Sequence, residues 1–298
     1  MSLEGFEAAT FSHEGTTRPI YRRGSGPGVV IVHEIPGITP EVAHFGRRVA
    51  DEGFTAVLPS LFGTPGKEFS GSYVAGQMAR ACISREFHVL ARRASSPITD
   101  FLRALAQQVH RECGGPGVGA VGMCLTGNFA LSMMLDEVVM APVLSQPSLP
   151  FGISQDHRAA IHLSDDDLDV VKQRTRNGLC VLGLRFTQDP LVPAERFERL
   201  RRELGDGFEA IEIDSSKGNP YDIPAMAHSV LTKDLVDEEG HPTRAALDRV
   251  LGRHFVRSLP RGCECQDPHG AGGASRSLFS RSREAPPAPC SSQVARIS

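Results

Sequence analysis

A chain of 298 residues with 40% hydrophobic residues and a formal net charge of −3 can bury a substantial core and gives no electrostatic reason to expect nucleic acid. There is no dense basic stripe, and no apolar run approaches the ~20 residues that span a bilayer. The seven cysteines are odd in number and irregularly spaced, which argues for a reducing cytoplasm rather than a disulfide framework.

Glu4 and Glu7 precede any apolar stretch, so the start of the chain lacks a signal-peptide pattern. Residues 28–32 then read as a buried strand and lead into His33, Glu34, Ile35, Pro36 and Gly37. A helix is predicted over 40–52, a strand over 55–58 and a helix over 99–112. The apolar run 118–121 ends in Gly122, Met123, Cys124, Leu125, Thr126 and Gly127, and a helix is predicted over 128–136. Strand, sharp turn and helix in that order make a nucleophile elbow, with a thiol where a hydroxyl is commoner. Gly122 fits the tight turn, whereas Gly127 fits it less well, because the commoner pattern has glycine where Thr126 stands. A cysteine there lies at a helix N-terminus, which favours the thiolate. The same residue also fits a small buried cysteine at a strand–helix junction.

A strand over 138–144 follows. Ser164 with Asp165, Asp166 and Asp167 resembles a metal cluster beside His162 but is better read as a helix cap with acids in the first turn of a helix over 165–175. The apolar run 178–186 is a further buried strand, and the loop after it presents Asp189. A helix over 194–204, a strand over 208–213, a loop carrying His228 and a helix over 244–255 complete the pattern. This βα alternation predicts a single α/β domain over residues 1–258, with a mostly parallel central sheet covered by helices on both faces. From 259 to 298 the chain is rich in Gly, Ser, Arg and Pro without hydrophobic period, and disorder is expected. Cys263, Cys265, His254 and His269 match no strong zinc spacing.

An α/β-hydrolase orders its catalytic residues as nucleophile, acid, histidine. Cys124, Asp189 and His228 occur in that order, each just past a predicted strand. Together with the His33 to Gly37 segment, the run Gln188 to Pro193 and the pair His228, Ser229, they make the chain resemble the dienelactone hydrolase family over roughly residues 25–255. The resemblance implies hydrolysis of a carboxylic ester or lactone through a thioester on Cys124. His228 would be the base, oriented by Asp189, and the N–H groups of Ile35 and Leu125 would form the oxyanion hole. It also implies that Glu34 holds the resting cysteine. No cofactor or metal is implied, and the expected partner is a small ester or lactone, acted on by a monomer or small homo-oligomer. In the family an arginine that binds the substrate carboxylate follows the histidine by four residues. Here that position is Thr232, a departure from the pattern of the members that cleave dienelactones, and Arg85 is a candidate for one anionic contact. A non-catalytic binding protein of this fold and a thiol redox sensor are the rival readings.

Overall fold

The computed structural model describes residues 3–83, 97–152, 154–260 and 295–297. Two strands open it, β1 (Glu7–His13) and β2 (Thr16–Arg23), paired antiparallel. Glu14 and Gly15 both take positive φ, 45° and 79°, as a two-residue hairpin turn of the right twist requires. The sequence reading contained neither strand. Apart from Phe11 and Ile20 their side chains are exposed or half-buried, so they carry no apolar run.

The core strands are almost wholly buried and mostly apolar, the charged exceptions being Arg185, Glu209 and Glu212 on the last two. They are β3 (Gly28–Val32), β4 (Thr55–Pro59), β5 (Val118–Met123), β6 (Val139–Ser145), β7 (Val181–Phe186) and β8 (Phe208–Ile213), close to the predicted ranges. Sheet order is β1, β2, β4, β3, β5, β6, β7, β8, with β9 (Ala295–Ile297) parallel on the outer edge of β8. Every pairing from β4 onward is parallel. The expectation of a disordered tail over 259–298 falls mostly outside the described residues; of the parts described, Leu259 is buried in the core, so the domain runs past the expected boundary, and Ala295–Ile297 form β9.

Both faces of the sheet are covered, which is why its strands need no polar side. Val30 and Val32 face one layer, built with α3 (Pro97–Cys113), α4 (Phe129–Met133), α6 (Asp165–Arg176) and α7 (Ala194–Leu204). Val29 and Ile31 face the other, built with α1 (Pro40–Asp51), α8 (Pro242–Asp248) and the π-helical run Arg249–Phe255 that continues it. Two helices were absent from the sequence reading, α2 (Gly71–Ile83) and the short α5 (Gln155–Ala159). The helix expected over 128–136 is shorter than predicted and follows a 3₁₀ turn, Cys124–Thr126. Ser164 does cap α6, accepting from the N–H of Asp167 at 3.1 Å. Cys113 and Cys124 carry free thiols, whereas Cys180 is disulfide-bonded, a departure from an all-reduced chain.

The chain leaves β3 toward β4 on one side and later returns to place β5 on the other. That reversal opens a crevice at the carboxyl ends of β3 and β5, where ligands bind in open α/β sheets. Glu34 leaves the end of β3 and Cys124 the end of β5.

Candidate active site

Cys124 sits at φ = 54°, in the left-handed region that a side chain rarely adopts. The strain is held by its neighbours. A Cβ on Gly122 would lie 2.3 Å from the carbonyl oxygen of Thr126, and one on Gly127 would lie 2.4 Å from Cα of Pro147, so both positions need glycine. Thr126, where the commoner pattern has glycine, contributes a hydroxyl instead. Its Oγ1 accepts from the N–H of Met123 at 3.0 Å and donates toward the carbonyl of Val32 at 2.9 Å, tying the elbow to the end of β3. Sγ of Cys124 lies 3.4 Å from Oγ of Ser148.

The acid and the histidine meet as their order required. Nδ1 of His228 lies 2.6 Å from Oδ2 of Asp189, and the other carboxylate oxygen accepts from the N–H of Leu191 at 2.9 Å. The loop bearing His228 is fixed by Asp234, whose Oδ2 accepts from the N–H groups of His228 and Ser229, both at 2.8 Å. Nε2 of His228 is buried and makes no hydrogen bond to the described residues. Burial opposes protonation of this imidazole, but attraction to Cys124 and the bond to Asp189 outweigh it and hold its pKa well above the ordinary histidine value. Ile35 and Leu125 pack with Cys124 in one small buried cluster.

Glu34 differs from the expectation. Its hydrogen bonds go not to Cys124 but to a ring of neutral donors. Ser229 Oγ donates to Oε2 at 2.7 Å, Gln146 Nε2 donates to the same oxygen at 3.1 Å, and Thr232 Oγ1 donates to Oε1. Thr232 therefore occupies the position of the expected arginine and serves Glu34. Burial pushes the Glu34 carboxyl above the ordinary glutamate value, and those bonds and the His228 charge only reduce the rise. Gln146, like Cys124, is a strained residue at the end of a strand, with φ = 36°. His33 is structural, as expected. Its Nε2 accepts from the N–H of Leu61 at 3.0 Å, so Nδ1 carries the proton and donates to the carbonyl of Glu34 at 2.9 Å. Complete burial lowers its pKa to about 4, which keeps it neutral. Arg85 lies outside the described residues.

Four contributors were missed by sequence reasoning: Gln146, Ser148, Asp234 and Arg196. The guanidinium of Arg196, on α7, is fully buried and donates to the carbonyls of Pro147 at 2.5 Å, Pro150 at 2.6 Å, Ala160 at 2.8 Å and His157 at 3.1 Å. It thereby shapes the loop after β6 that delivers Gln146 and Ser148. Burial lowers its pKa to about 10, so it stays charged at neutral pH. Arg196→Met should lower unfolding free energy by about 2–4 kcal/mol, because several buried carbonyls lose their donor. Urea titration checks this, and an unchanged midpoint would mean that the loop holds itself. Among the described residues no His, Cys, Asp or Glu cluster is arranged to hold a metal, and no helix is long and apolar enough to cross a membrane.

Strand order, a strained elbow at the end of β5 and an acid–histidine pair beyond β7 and β8 define the α/β-hydrolase class. The chain belongs to the dienelactone hydrolase family, which it matches over residues 18–219. It is 26% identical over 196 residues to a Saccharomyces cerevisiae protein named "Putative carboxymethylenebutenolidase", a match covering 62% of this chain and 66% of that one, just under two thirds of its length. In fold it is similar to the solved structure of a "Putative Dienelactone Hydrolase" from Klebsiella pneumoniae, at 20% identity and a TM-score of 0.52 over 83% of this chain and 99% of that one. The dienelactone hydrolase from Anabaena variabilis is similar too, with 13% identity, a TM-score of 0.54 and coverage of 85% and 98%.

Proposed function

We propose that this protein hydrolyses a carboxylic ester or lactone with Cys124 as nucleophile, His228 as base and acid, and Asp189 as the group that orients His228. The observation that carries the reading is the 2.6 Å contact between Asp189 and Nδ1 of His228, with Nε2 left free, beside a cysteine on a strained elbow. His228 takes the proton of the Cys124 thiol as Sγ attacks the carbonyl carbon, and charge develops on the carbonyl oxygen, which the N–H groups of Ile35 and Leu125 receive. The tetrahedral adduct collapses with loss of the alcohol, which takes its proton from His228. Water, deprotonated by His228, then cleaves the thioester and frees the acid and the thiol. Asp189 keeps the proton on Nδ1, so that Nε2 faces the reaction. Membership of the family and the similarity to the Saccharomyces cerevisiae protein support this activity.

The rival of a non-catalytic binder is weakened by the intact acid–histidine pair, and that of a redox sensor by the neighbour of Sγ being the Ser148 hydroxyl rather than a second thiol. Steady hydrolysis of p-nitrophenyl butyrate, abolished by iodoacetamide and protected by a competing ester, tests the proposal. Hydrolysis indifferent to alkylation would reject it.

Glu34 is read as the acid that sets the charge of the cleft floor. A carboxyl with a raised folded pKa adds stability below its unfolded pKa, and that stability is lost as pH rises through the folded value. Glu34→Gln, which cannot ionise, should therefore gain on the wild type in urea midpoint as pH rises from about 4 to about 8. The opposite trend would mean that the fold favours the carboxylate.

A further inference from the structure

The wall around the nucleophile is apolar. Cys124, Ile35 and Leu125 form a buried cluster, and Phe62, Val74, Met78, Leu149 and Phe151 pack against it while each keeps some exposure. These side chains come from separate stretches of chain: the turn after β4, helix α2 and the loop after β6. Val74 and Met78, one helical turn apart, share one face of α2. Residues so far apart in sequence converge on the reacting sulfur and stop short of full burial. Because they surround the reacting sulfur, the surface that each keeps exposed is available to a ligand bound there.

The polar side of the cleft points the same way. Ser229, Thr232 and Gln146, the side chains that hydrogen-bond Glu34, are all uncharged. The Thr232 hydroxyl is committed to that carboxyl, and the neighbouring Lys233 has its ammonium 4.2 Å from the ring centre of Phe69. An anionic acyl group would be dehydrated against aliphatic and aromatic side chains and would share the cleft with an acid.

We propose that the site selects a neutral ester whose acyl group is an apolar chain or ring, in preference to an anionic lactone. The inference rests on the ester-hydrolase reading above and narrows it. The wall belongs to the acyl group because the carbonyl oxygen is received by the N–H groups of Ile35 and Leu125, whose own side chains are the centre of the cluster. The acyl group is also the part that stays on Sγ after the alcohol leaves.

The test compares kcat/KM for p-nitrophenyl acetate, butyrate and hexanoate with that for the mono-p-nitrophenyl ester of adipic acid, which matches hexanoate in length but ends in a carboxylate. A fully buried methylene is worth about fourfold, so even partial burial should raise kcat/KM by about tenfold or more from acetate to hexanoate. The adipate ester should fall about tenfold or more below hexanoate. Phe151→Ala and Met78→Ala should each shrink the hexanoate-to-acetate ratio. A flat or falling series, a preference for the adipate ester, or a ratio unchanged in both variants would overturn the proposal. If no ester is turned over, or turnover survives in Cys124→Ala, the ester-hydrolase reading fails and takes this proposal with it.

Discussion

Cys124→Ala should lower ester turnover by about 10⁴- to 10⁶-fold, the range seen when a covalent nucleophile is removed from a triad. The thermal unfolding midpoint should move by only a few degrees, since the side chain lost is small and its φ of 54° is held by the glycines and Thr126 around it. Cys124→Ser should be almost as inactive. A hydroxyl is far less acidic than a thiol, and the histidine that would have to deprotonate it is placed for a larger atom. Initial rates with p-nitrophenyl butyrate, alongside circular dichroism, separate loss of chemistry from loss of fold. Undiminished turnover in the alanine variant would remove Cys124 from the mechanism.

Asp189→Asn should cost up to about 10⁴-fold in kcat with little change in KM. The carboxylate accepts from Nδ1 of His228, and an amide nitrogen in its place would favour the tautomer whose proton sits on Nε2, where the reaction needs a lone pair. The same change removes one of the two attractions that hold the imidazole pKa above its ordinary value. The His228 titration, followed by NMR of the ring, should therefore move down. A drop in kcat without that movement would assign Asp189 a purely structural role.

The legible part of this protein was the part written in contiguous residues. Buried strands read as apolar runs, so Cys124, Asp189 and His228 could be singled out by their order after predicted strands, whereas Glu34 was singled out only through the family resemblance. What sequence could not give was contact across long separations. Gln146 reaches Glu34 across 112 positions and Thr232 across 198, and no local pattern announces either bond. Thr126 was legible only as a departure from glycine, because its bond to Val32 spans 94 positions. Arg196 reads as one more charged residue on an amphipathic helix, although it is fully buried under a loop whose carbonyls it holds. The hairpin of β1 and β2 escaped because its faces are mostly wet, and hydrophobic periodicity is silent there.

The role given to Glu34 shows how structure revises a resemblance. The family suggests an acid that restrains the cysteine, but here the carboxyl is bonded to Ser229, Thr232 and Gln146, and the neighbour of Sγ is Ser148. The replacement of an expected arginine by Thr232 thus changes two things together, the partner of Glu34 and the charge available to a substrate.

The central claim is a covalent thioester on one named sulfur, and it can be measured directly. The protein is mixed with excess p-nitrophenyl butyrate, quenched in acid within the first turnovers, digested and mapped by mass spectrometry. The account predicts a butyryl group on the peptide that contains Cys124, absent from Cys124→Ala and longer-lived in His228→Ala if that variant acylates at all. Continuing turnover with no acyl adduct, or with the adduct on another residue, would contradict it.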